Sequence, residues 1–182
     1  ILRTSARSSP LCTMRERCSR RPMAEAELPA SLATGATPDI STSSLYQEII
    51  LAHYRAPRHR RVLAGAATAT DHSNPLCGDV VAIQIQREGG RVLDAGFTAR
   101  ACSITQATAS MVLDRIIGGT VADARTLLRQ IDALIEGKPL GDVVDADHLG
   151  DLMSLASVAR FPARKACVRL VTTALADALG TE

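Results

Sequence analysis

The sequence contains very few aromatic residues and no long hydrophobic run. It has no tryptophan, and its aromatic side chains are Tyr46, Tyr54, Phe97 and Phe161. Proteins that bind single-stranded nucleic acids stack bases on aromatic side chains, so this composition argues against a nucleic-acid partner. A membrane-spanning helix needs roughly 18 or more consecutive apolar residues, and we therefore expect no membrane segment. Hydrophobic residues still make up 46% of the chain, so the core must consist mainly of Ala, Leu, Val and Ile.

The amino-terminal segment lacks the apolar stretch of a secretory signal peptide. Residues 1–22 contain six arginines and one acid, Glu16, which gives a local charge of +5; because the whole chain carries +2, the remainder carries −3. An organelle transit peptide is one interpretation of this Arg- and Ser-rich segment. The other is that translation truly starts at Met14 or Met23. Without secretory features, we expect a cytoplasmic protein whose cysteines stay reduced.

Large apolar residues are also sparse between residues 23 and 43, where Ala, Thr, Ser and Pro dominate. Such a composition is typical of disordered segments, because it cannot bury enough apolar surface to offset the entropy of ordering. We therefore predict a disordered leader over residues 1–42 and one globular domain over residues 43–182. Cys12 and Cys18 fall in the leader, and no function is predicted for them.

Hydrophobic periodicity predicts one helix, a small antiparallel sheet and then four more helices. The stretch "SSLYQEIILAHYRAP" has helical spacing, with Ser43 or Ser44 as its N-cap and Pro57 just beyond its end. "AGAATATDHSNP" is a weak strand, and "VVAIQIQ" and "RVLDAGFTA" are two better strands that the hairpin signal Gly89-Gly90 joins. The helices that follow are "CSITQATASMVLDRIIGG", "TVADARTLLRQIDALIEG", "DADHLGDLMSLASVARF" and "PARKACVRLVTTALADALG". The predicted fold class is α+β, with helices packed on a three-stranded antiparallel sheet.

Capping residues mark the boundaries of two of these helices. Thr120 is a favourable N-cap, and Gly137 is a favourable terminator of the same helix. Pro162 suits the first position of the last helix, where its missing N–H costs nothing.

Three cysteines lie in the predicted domain, each where a predicted element ends or begins. Cys77 is in the turn "NPLCGD" before a strand, Cys102 follows a strand at the start of a helix, and Cys167 is near the start of the last helix. A structural cysteine is more often a small buried hydrophobe. We expect the helix starts to lower the thiol pKa of Cys102 and of Cys167. Strand ends and helix starts converge at a sheet edge, so the three thiols could meet there.

A metal bound by these thiols would need a fourth ligand, for which Asp79 is the candidate. It follows Cys77 by two residues, and Gly78 between them allows a sharp backbone turn. Zinc accepts cysteine sulfur and carboxylate oxygen in tetrahedral sites. The paired C-x-x-C spacing of a zinc finger is absent, so the spacing by itself leaves a metal site and unliganded thiols equally open. His72 is the alternative fourth ligand, and a disulfide is disfavoured in a protein without secretory features.

The three cysteine motifs "NPLCGD", "ACSITQATASM" and "PARKACVRL" resemble, in this order, those of the IscU/NifU N-terminal superfamily of iron–sulfur cluster assembly proteins. "LYQEIILAHYRAPRH" resembles the helix that opens that fold, and the likeness covers about residues 45–180. The sequence is more similar to the SufU branch. The extra segment "GGTVADARTLL" between Cys102 and Cys167 is typical of SufU, and Ala166 stands where IscU carries a histidine.

This resemblance implies a zinc-dependent sulfurtransferase that accepts persulfide sulfur from a SufS-type cysteine desulfurase and supplies downstream iron–sulfur assembly proteins. It implies that Cys77, Asp79, Cys102 and Cys167 hold the metal. It also implies that a partner histidine takes over the zinc and frees Cys77 to attack the persulfide. Arg164, three residues before Cys167 as in SufU, would steady the thiolates by its charge.

Three functional hypotheses compete. The first is the zinc-dependent sulfur relay, which the SufU-like features favour. The second is a scaffold that assembles a [2Fe–2S] cluster, with iron on the same ligands. The third is a zinc-stapled interaction module without turnover. The basic stretch "RHRR" at residues 58–61 and the opening helix are candidate docking surfaces for the desulfurase, with a solvated turn as the alternative for the basic stretch.

Overall fold

The structure is a computed structural model that describes residues 40–65, 71–139, 141 and 145–180. Residues 1–39 of the predicted leader lie outside the described residues. The described residues form helix α1 (Ile40–Arg55), strands β1 (Asp71–Asn74), β2 (Asp79–Glu88) and β3 (Arg91–Arg100), and helices α2 (Ser103–Ile116), α3 (Val121–Ile135), α4 (Ala146–Leu149) and α5 (Pro162–Leu179). A 3₁₀ segment, Gly150–Arg160, connects α4 to α5. The predicted α+β order of helix, sheet and helices is confirmed.

The three strands form one antiparallel sheet in the order β1-β2-β3. Gly89 and Gly90 join β2 to β3 with positive φ angles of 56° and 77°, a conformation that glycine adopts without strain. The register pairs Glu88 with Arg91 beside this turn and Val80 with Arg100 at the other end. The residues that follow β3 therefore lie next to the turn between β1 and β2.

The core lies between the sheet and the helices. Val81 and Ile83 of β2 are buried as predicted, Ile85 packs partly buried against the core, and Phe97 of β3 is fully buried. Helix α2 is buried along most of its length and packs against α1 and α5. None of the helices in the described part of the chain has the length and hydrophobicity that a bilayer-spanning segment requires.

The predicted N-cap of α3 and the predicted first residue of α5 are confirmed. Thr120 is the N-cap of α3 and forms a reciprocal capping box with Asp123. Gly137 follows the last turn of that helix with a φ of 76°, the left-handed conformation that favours glycine after a helix. Pro162 is the first residue of α5.

Two predicted helix boundaries are wrong. Helix α1 already begins at Ile40, so Ser43 and Ser44 lie within the helix and not at its N-cap position. The helix predicted over "DADHLGDLMSLASVARF" is a single α-helical turn, α4, followed by the 3₁₀ segment. Gly150 has a φ of 53° at this junction, and this conformation interrupts the α-helical hydrogen-bond pattern.

The connection after α1 runs beside strand β3. The backbone N–H of Phe97 donates to the carbonyl of His59 at 3.0 Å. Gly96 permits this approach, because a Cβ atom there would lie 2.6 Å from the carbonyl oxygen of Arg61.

The basic stretch at residues 58–61 is tied to the domain by ion pairs. Arg58 pairs with Asp114 of α2, and Arg61 pairs with Asp94 of β3. The two arginine side chains are half-exposed, so their ion pairs contribute little to stability. They do hold Arg58 and Arg61 against acidic residues of the same domain. This favours a solvated turn over a free docking surface as the interpretation of the basic stretch.

Candidate metal centre

The turn between β1 and β2 presents Cys77 to solvent. The side-chain oxygen of Asn74 accepts a hydrogen bond from the backbone N–H of Leu76 at 3.0 Å. The backbone carbonyl of Asn74 accepts one from the N–H of Gly78 at 2.8 Å. Gly78 has a φ of 72°, so it provides the sharp turn that the sequence predicts. Cys77 is exposed at this turn, and the neighbouring Leu76 is 88% exposed.

Asp79 is the first residue of β2, and its carboxylate is anchored on helix α2. Its Oδ1 accepts the backbone N–H of Cys102 at 3.0 Å, and its Oδ2 accepts the hydroxyl of Thr105 at 2.6 Å. Burial raises the pKa of the Asp79 carboxyl, but hydrogen bonds from Thr105 and Cys102 outweigh it and hold the pKa below its ordinary value. Asp79 is therefore an ionised, fixed carboxylate at neutral pH, although only 5% of the residue is exposed.

The thiols of Cys102 and Cys167 lie near this carboxylate. Cys102 is the exposed N-cap residue of α2, and its Sγ lies 3.5 Å from the hydroxyl oxygen of Thr105. Cys167 is buried on α5, and its Sγ lies 3.5 Å from the carbonyl of Ala163, one turn earlier. All three described cysteines are free thiols, as predicted.

The expectation that the helix start lowers the pKa of Cys167 is wrong. Burial, together with the neighbouring thiol of Cys102, raises the pKa of the Cys167 thiol to about 12. Cys167 lies beyond the first turn of α5, where the effect of the helix dipole has faded and desolvation dominates. In the chain without metal this thiol is neutral at pH 7, so a metal that binds it must displace its proton.

The donor atoms of Cys77, Asp79 and Cys167 lie within 4.8 Å of one another. The ligands of a tetrahedral zinc ion with sulfur and oxygen donors are separated by about 3.3–3.8 Å, so these three donors are close to the spacing that zinc requires. Two thiols and a carboxylate are also donors that zinc prefers. The chemistry and spacing of these three residues therefore fit zinc.

The remaining candidate ligands differ in position. Cys102 is not part of the close group formed by Cys77, Asp79 and Cys167, although Thr105 bridges its thiol to Asp79. The alternative ligand His72 faces the carboxylate of Asp177 at 3.5 Å and does not belong to the group either.

Arg164 lies on a cleft that opens beside Cys102. The cleft has a volume of about 740 Å³, and both Arg160 and Phe161 contribute to its lining. The guanidinium of Arg164 lies over the Phe161 ring, 4.7 Å from its centroid, which is a cation–π contact. Its charge is therefore on the side of the site where the exposed Cys102 thiol lies.

Sequence reasoning missed Thr105, which is fully buried and touches both Asp79 and Cys102. A signal was available: the motif "ACSIT" places a hydroxyl at the third helical position after Cys102, where side chains commonly take part in capping. The partner of that hydroxyl lies on another element, and local sequence does not show it.

Comparison with known proteins gives a consistent result. The sequence model of the NifU-like N terminal domain matches residues 45–168. The chain is 34% identical to the zinc-dependent sulfurtransferase SufU of Bacillus subtilis (strain 168), over 76% of this chain and 92% of that protein. It is 30% identical to the iron–sulfur cluster assembly scaffold protein IscU of Streptococcus pyogenes serotype M1, over 74% of this chain and 82% of that protein.

Solved structures share the fold. A crystal structure of a candidate iron–sulfur cluster assembly scaffold protein for the SUF system, from Fervidobacterium islandicum AW-1, superimposes with a TM-score of 0.67 at 25% identity, over 76% of this chain and 98% of that one. The N-terminal part of a NifU-like protein from Brucella abortus gives a TM-score of 0.67 at 23% identity, over 76% of this chain and 94% of that one.

Proposed function

Because this chain belongs to the family of NifU-like N-terminal domains, we propose that it is a zinc-dependent sulfurtransferase of iron–sulfur cluster assembly. In this proposal, Cys77 accepts persulfide sulfur from a SufS-type cysteine desulfurase in the cytoplasm, and downstream assembly proteins receive it. The supporting observation is the contrast within the close group. Cys77 is exposed on a turn, whereas Asp79 and Cys167 are buried on regular elements.

The ligands of the proposed zinc are Cys77, Asp79 and Cys167, joined by Cys102. When bound, zinc keeps the thiolates deprotonated and shields them from oxidation. The hydrogen bonds to Asp79 and the burial of Cys167 keep those two side chains in place. The Gly78 turn leaves Cys77 as the ligand that can move outward to a partner.

The proposed transfer is a thiol–persulfide exchange with no net redox change. The Cys77 thiolate attacks the terminal sulfur of the desulfurase persulfide, and a new S–S bond forms on Cys77. The S–S bond on the desulfurase breaks at the same time, and its cysteine leaves as a thiolate that takes up a proton. This step needs an exposed acceptor, which excludes the buried Cys167. Cys77 and Cys102 are both exposed, and the turn at Gly78 favours Cys77 as the thiol that moves.

The surface around the site supports docking of a partner protein. Leu76 beside Cys77 is almost fully exposed, and Leu51 and Phe161 expose apolar surface at the cleft near Cys102. Arg160 and Arg164 add positive charge to the same cleft. Exposed apolar patches often mark sites of protein–protein interaction, and arginine is enriched among the residues that anchor protein interfaces.

The test is sulfur loading of the full chain. The parent, Cys77→Ser and Cys102→Ser are incubated anaerobically with a SufS-type desulfurase and cysteine, and the intact proteins are weighed. Both variants lose one thiol of the site, so their comparison separates the acceptor from a ligand. We expect one added sulfur on the parent, mapped to Cys77 by fragmentation, retention of that adduct by Cys102→Ser and its loss from Cys77→Ser. An adduct of equal yield on Cys77→Ser would overturn the assignment.

A second candidate function is a scaffold that assembles a [2Fe–2S] cluster on the same residues. The relative from Streptococcus pyogenes carries that description, and cysteine thiolates also hold such clusters. Metal analysis and the visible spectrum of protein purified without oxygen distinguish the two: colourless protein with one zinc supports the sulfurtransferase, and brown protein with iron supports the scaffold. Stimulation of a desulfurase then separates a sulfurtransferase from a zinc-stapled module without turnover.

A further inference from the structure

Thr105 lies at the centre of the candidate metal centre without being one of its ligands. It is in the first turn of α2 and is fully buried. Its hydroxyl donates to Asp79 Oδ2 at 2.6 Å, and its oxygen lies 3.5 Å from the Sγ of Cys102. One side chain therefore contacts two of the four proposed ligands.

The hydroxyl of Thr105 is directed away from its own helix. The carbonyl four residues before Thr105, that of Ala101, precedes the N-cap residue Cys102 and is therefore not a partner within the helix. That carbonyl accepts the side-chain amide of Gln106 at 2.7 Å instead. The Thr105 hydroxyl donates across to strand β2, to the carboxylate of Asp79.

These contacts fix the plane of the Asp79 carboxylate. Its Oδ1 accepts the N–H of Cys102 at 3.0 Å, and its Oδ2 accepts from Thr105 at 2.6 Å. With one donor on each oxygen, the carboxylate cannot rotate without breaking a buried hydrogen bond. The remaining lone pairs are the ones available to an ion near Cys77 and Cys167.

We propose that Thr105 is a positioning residue that holds Asp79 in the orientation needed for metal binding and so sets the zinc affinity of the site. The inference deepens the proposed function, since it rests on zinc being the metal that Asp79 binds. Loss of an outer hydrogen-bond partner of a metal ligand typically costs about 10–100-fold in metal affinity. Removal of the Thr105 hydroxyl is expected to have an effect of that size.

The experiment measures zinc affinity of the full chain by competition with a chelator. Thr105→Val keeps the shape of the side chain and removes the hydroxyl, and it should bind zinc about 10–100-fold more weakly. Thr105→Ser keeps the hydroxyl and should restore the parent affinity. The matched control is Thr108→Val, since Thr108 is also fully buried on α2 and its hydroxyl has no hydrogen-bond partner among the described residues. This control should bind zinc as the parent does.

A double-mutant cycle tests whether the effect passes through Asp79. In an Asp79→Ala background, Thr105→Val should cause no further loss of zinc affinity, because the carboxylate that it positions is gone. If Thr105→Val bound zinc as tightly as the parent does, the proposal would be overturned. It would also be overturned if Thr105→Val lowered the zinc affinity equally in the parent and in Asp79→Ala. Melting temperatures of the metal-free proteins show whether any variant has unfolded, and Thr105→Ala, which also removes the hydroxyl, takes the place of Thr105→Val if that variant has. No desulfurase is used, so failed sulfur loading would overturn the proposed function and leave this inference intact.

Discussion

At the scale of single residues, the proposed ligand side chains differ most in how firmly they are held. Asp79 accepts two hydrogen bonds from the start of α2, and Cys167 is buried on α5. Cys77 is exposed on a turn shaped by Asn74 and Gly78. In the proposed site, this inequality would let Cys77 leave while Asp79 and Cys167 stay, which a sulfur-accepting site requires and a purely structural zinc site does not.

Substitution of Asp79 should affect both zinc binding and the metal-free fold. Asp79→Ala is expected to weaken zinc binding by at least about 100-fold, above the cost of losing an outer hydrogen-bond partner. It should also lower the metal-free unfolding free energy by about 1–3 kcal/mol, because the N–H of Cys102 and the hydroxyl of Thr105 lose their acceptor. Chelator competition and denaturant unfolding measure the two effects.

His72→Ala is the control for Asp79, since His72 is the alternative fourth ligand and pairs with Asp177 in the structure. Its zinc affinity should equal that of the parent. If Asp79→Ala retains the parent affinity while His72→Ala loses it, the ligand assignment passes to His72.

At the scale of elements, the starts of helices α2 and α3 are held in different ways, and the start of α2 connects the candidate metal centre to the fold. The N-cap residue of α2, Cys102, makes no side-chain capping bond of its own, and Asp79 supplies an acceptor there from strand β2. Helix α3 is capped locally, by the reciprocal bonds between Thr120 and Asp123. The start of α2 therefore depends on tertiary packing, whereas the start of α3 depends on its own sequence.

The capping box of α3 should stabilise the domain in a pH-dependent way. Hydrogen bonds from Thr120 hold the pKa of Asp123 below its ordinary value, so this contribution is present above the unfolded pKa and is lost as the pH falls through the folded one. Thr120→Ala should lower the melting temperature by about 2–4 °C at pH 7. The difference from the parent should shrink at pH 3.

Thr126→Ala, the same substitution within α3, is the control and should not lower the melting temperature, because alanine is a better helix former. An equal loss for Thr120→Ala at pH 7 and pH 3 would show that Asp123 contributes nothing to the cap.

At the scale of the whole molecule, the described residues contain a continuous apolar core made almost without aromatic side chains. Leu, Ile, Val and Ala from the sheet and from helices α2, α3 and α5 form it, and Phe97 is its fully buried aromatic residue. Among the described residues, this core begins with Ile50 of α1 and ends with Leu179 of α5. The candidate metal centre lies at the sheet edge of this core, where β2 begins and β3 ends.

Removal of residues 1–39 should leave the melting temperature and the zinc content unchanged, because α1 and the described core remain complete. Thermal unfolding and metal analysis of the shortened protein test this. Removal of residues 1–51 is the control, since it also takes away Ile50 and should lower the melting temperature. A shortened protein without residues 1–39 that melts several degrees lower would show that the leader belongs to the folded domain.

Local chemistry in the sequence was enough to predict much of this protein. The hairpin at Gly89-Gly90, the caps at Thr120 and Pro162, and the α+β order depend on residues close together in the chain. The cysteine motifs, by resemblance, indicated the family that the comparisons show. Turn chemistry and hydrophobic periodicity are short-range properties, so they can be read without a structure.

Tertiary structure alone decided the features that depend on distant neighbours. The hydrogen bond from Thr105 to Asp79 joins two elements, and burial raises the pKa of Cys167 where its place near a helix start suggested the opposite. His53 of α1 is buried, and its ring nitrogens contact Ser110 and Asp151, which lie 57 and 98 residues away in the chain. Desolvation and hydrogen-bond geometry arise only when the chain brings such residues together, and no local pattern in the sequence records them.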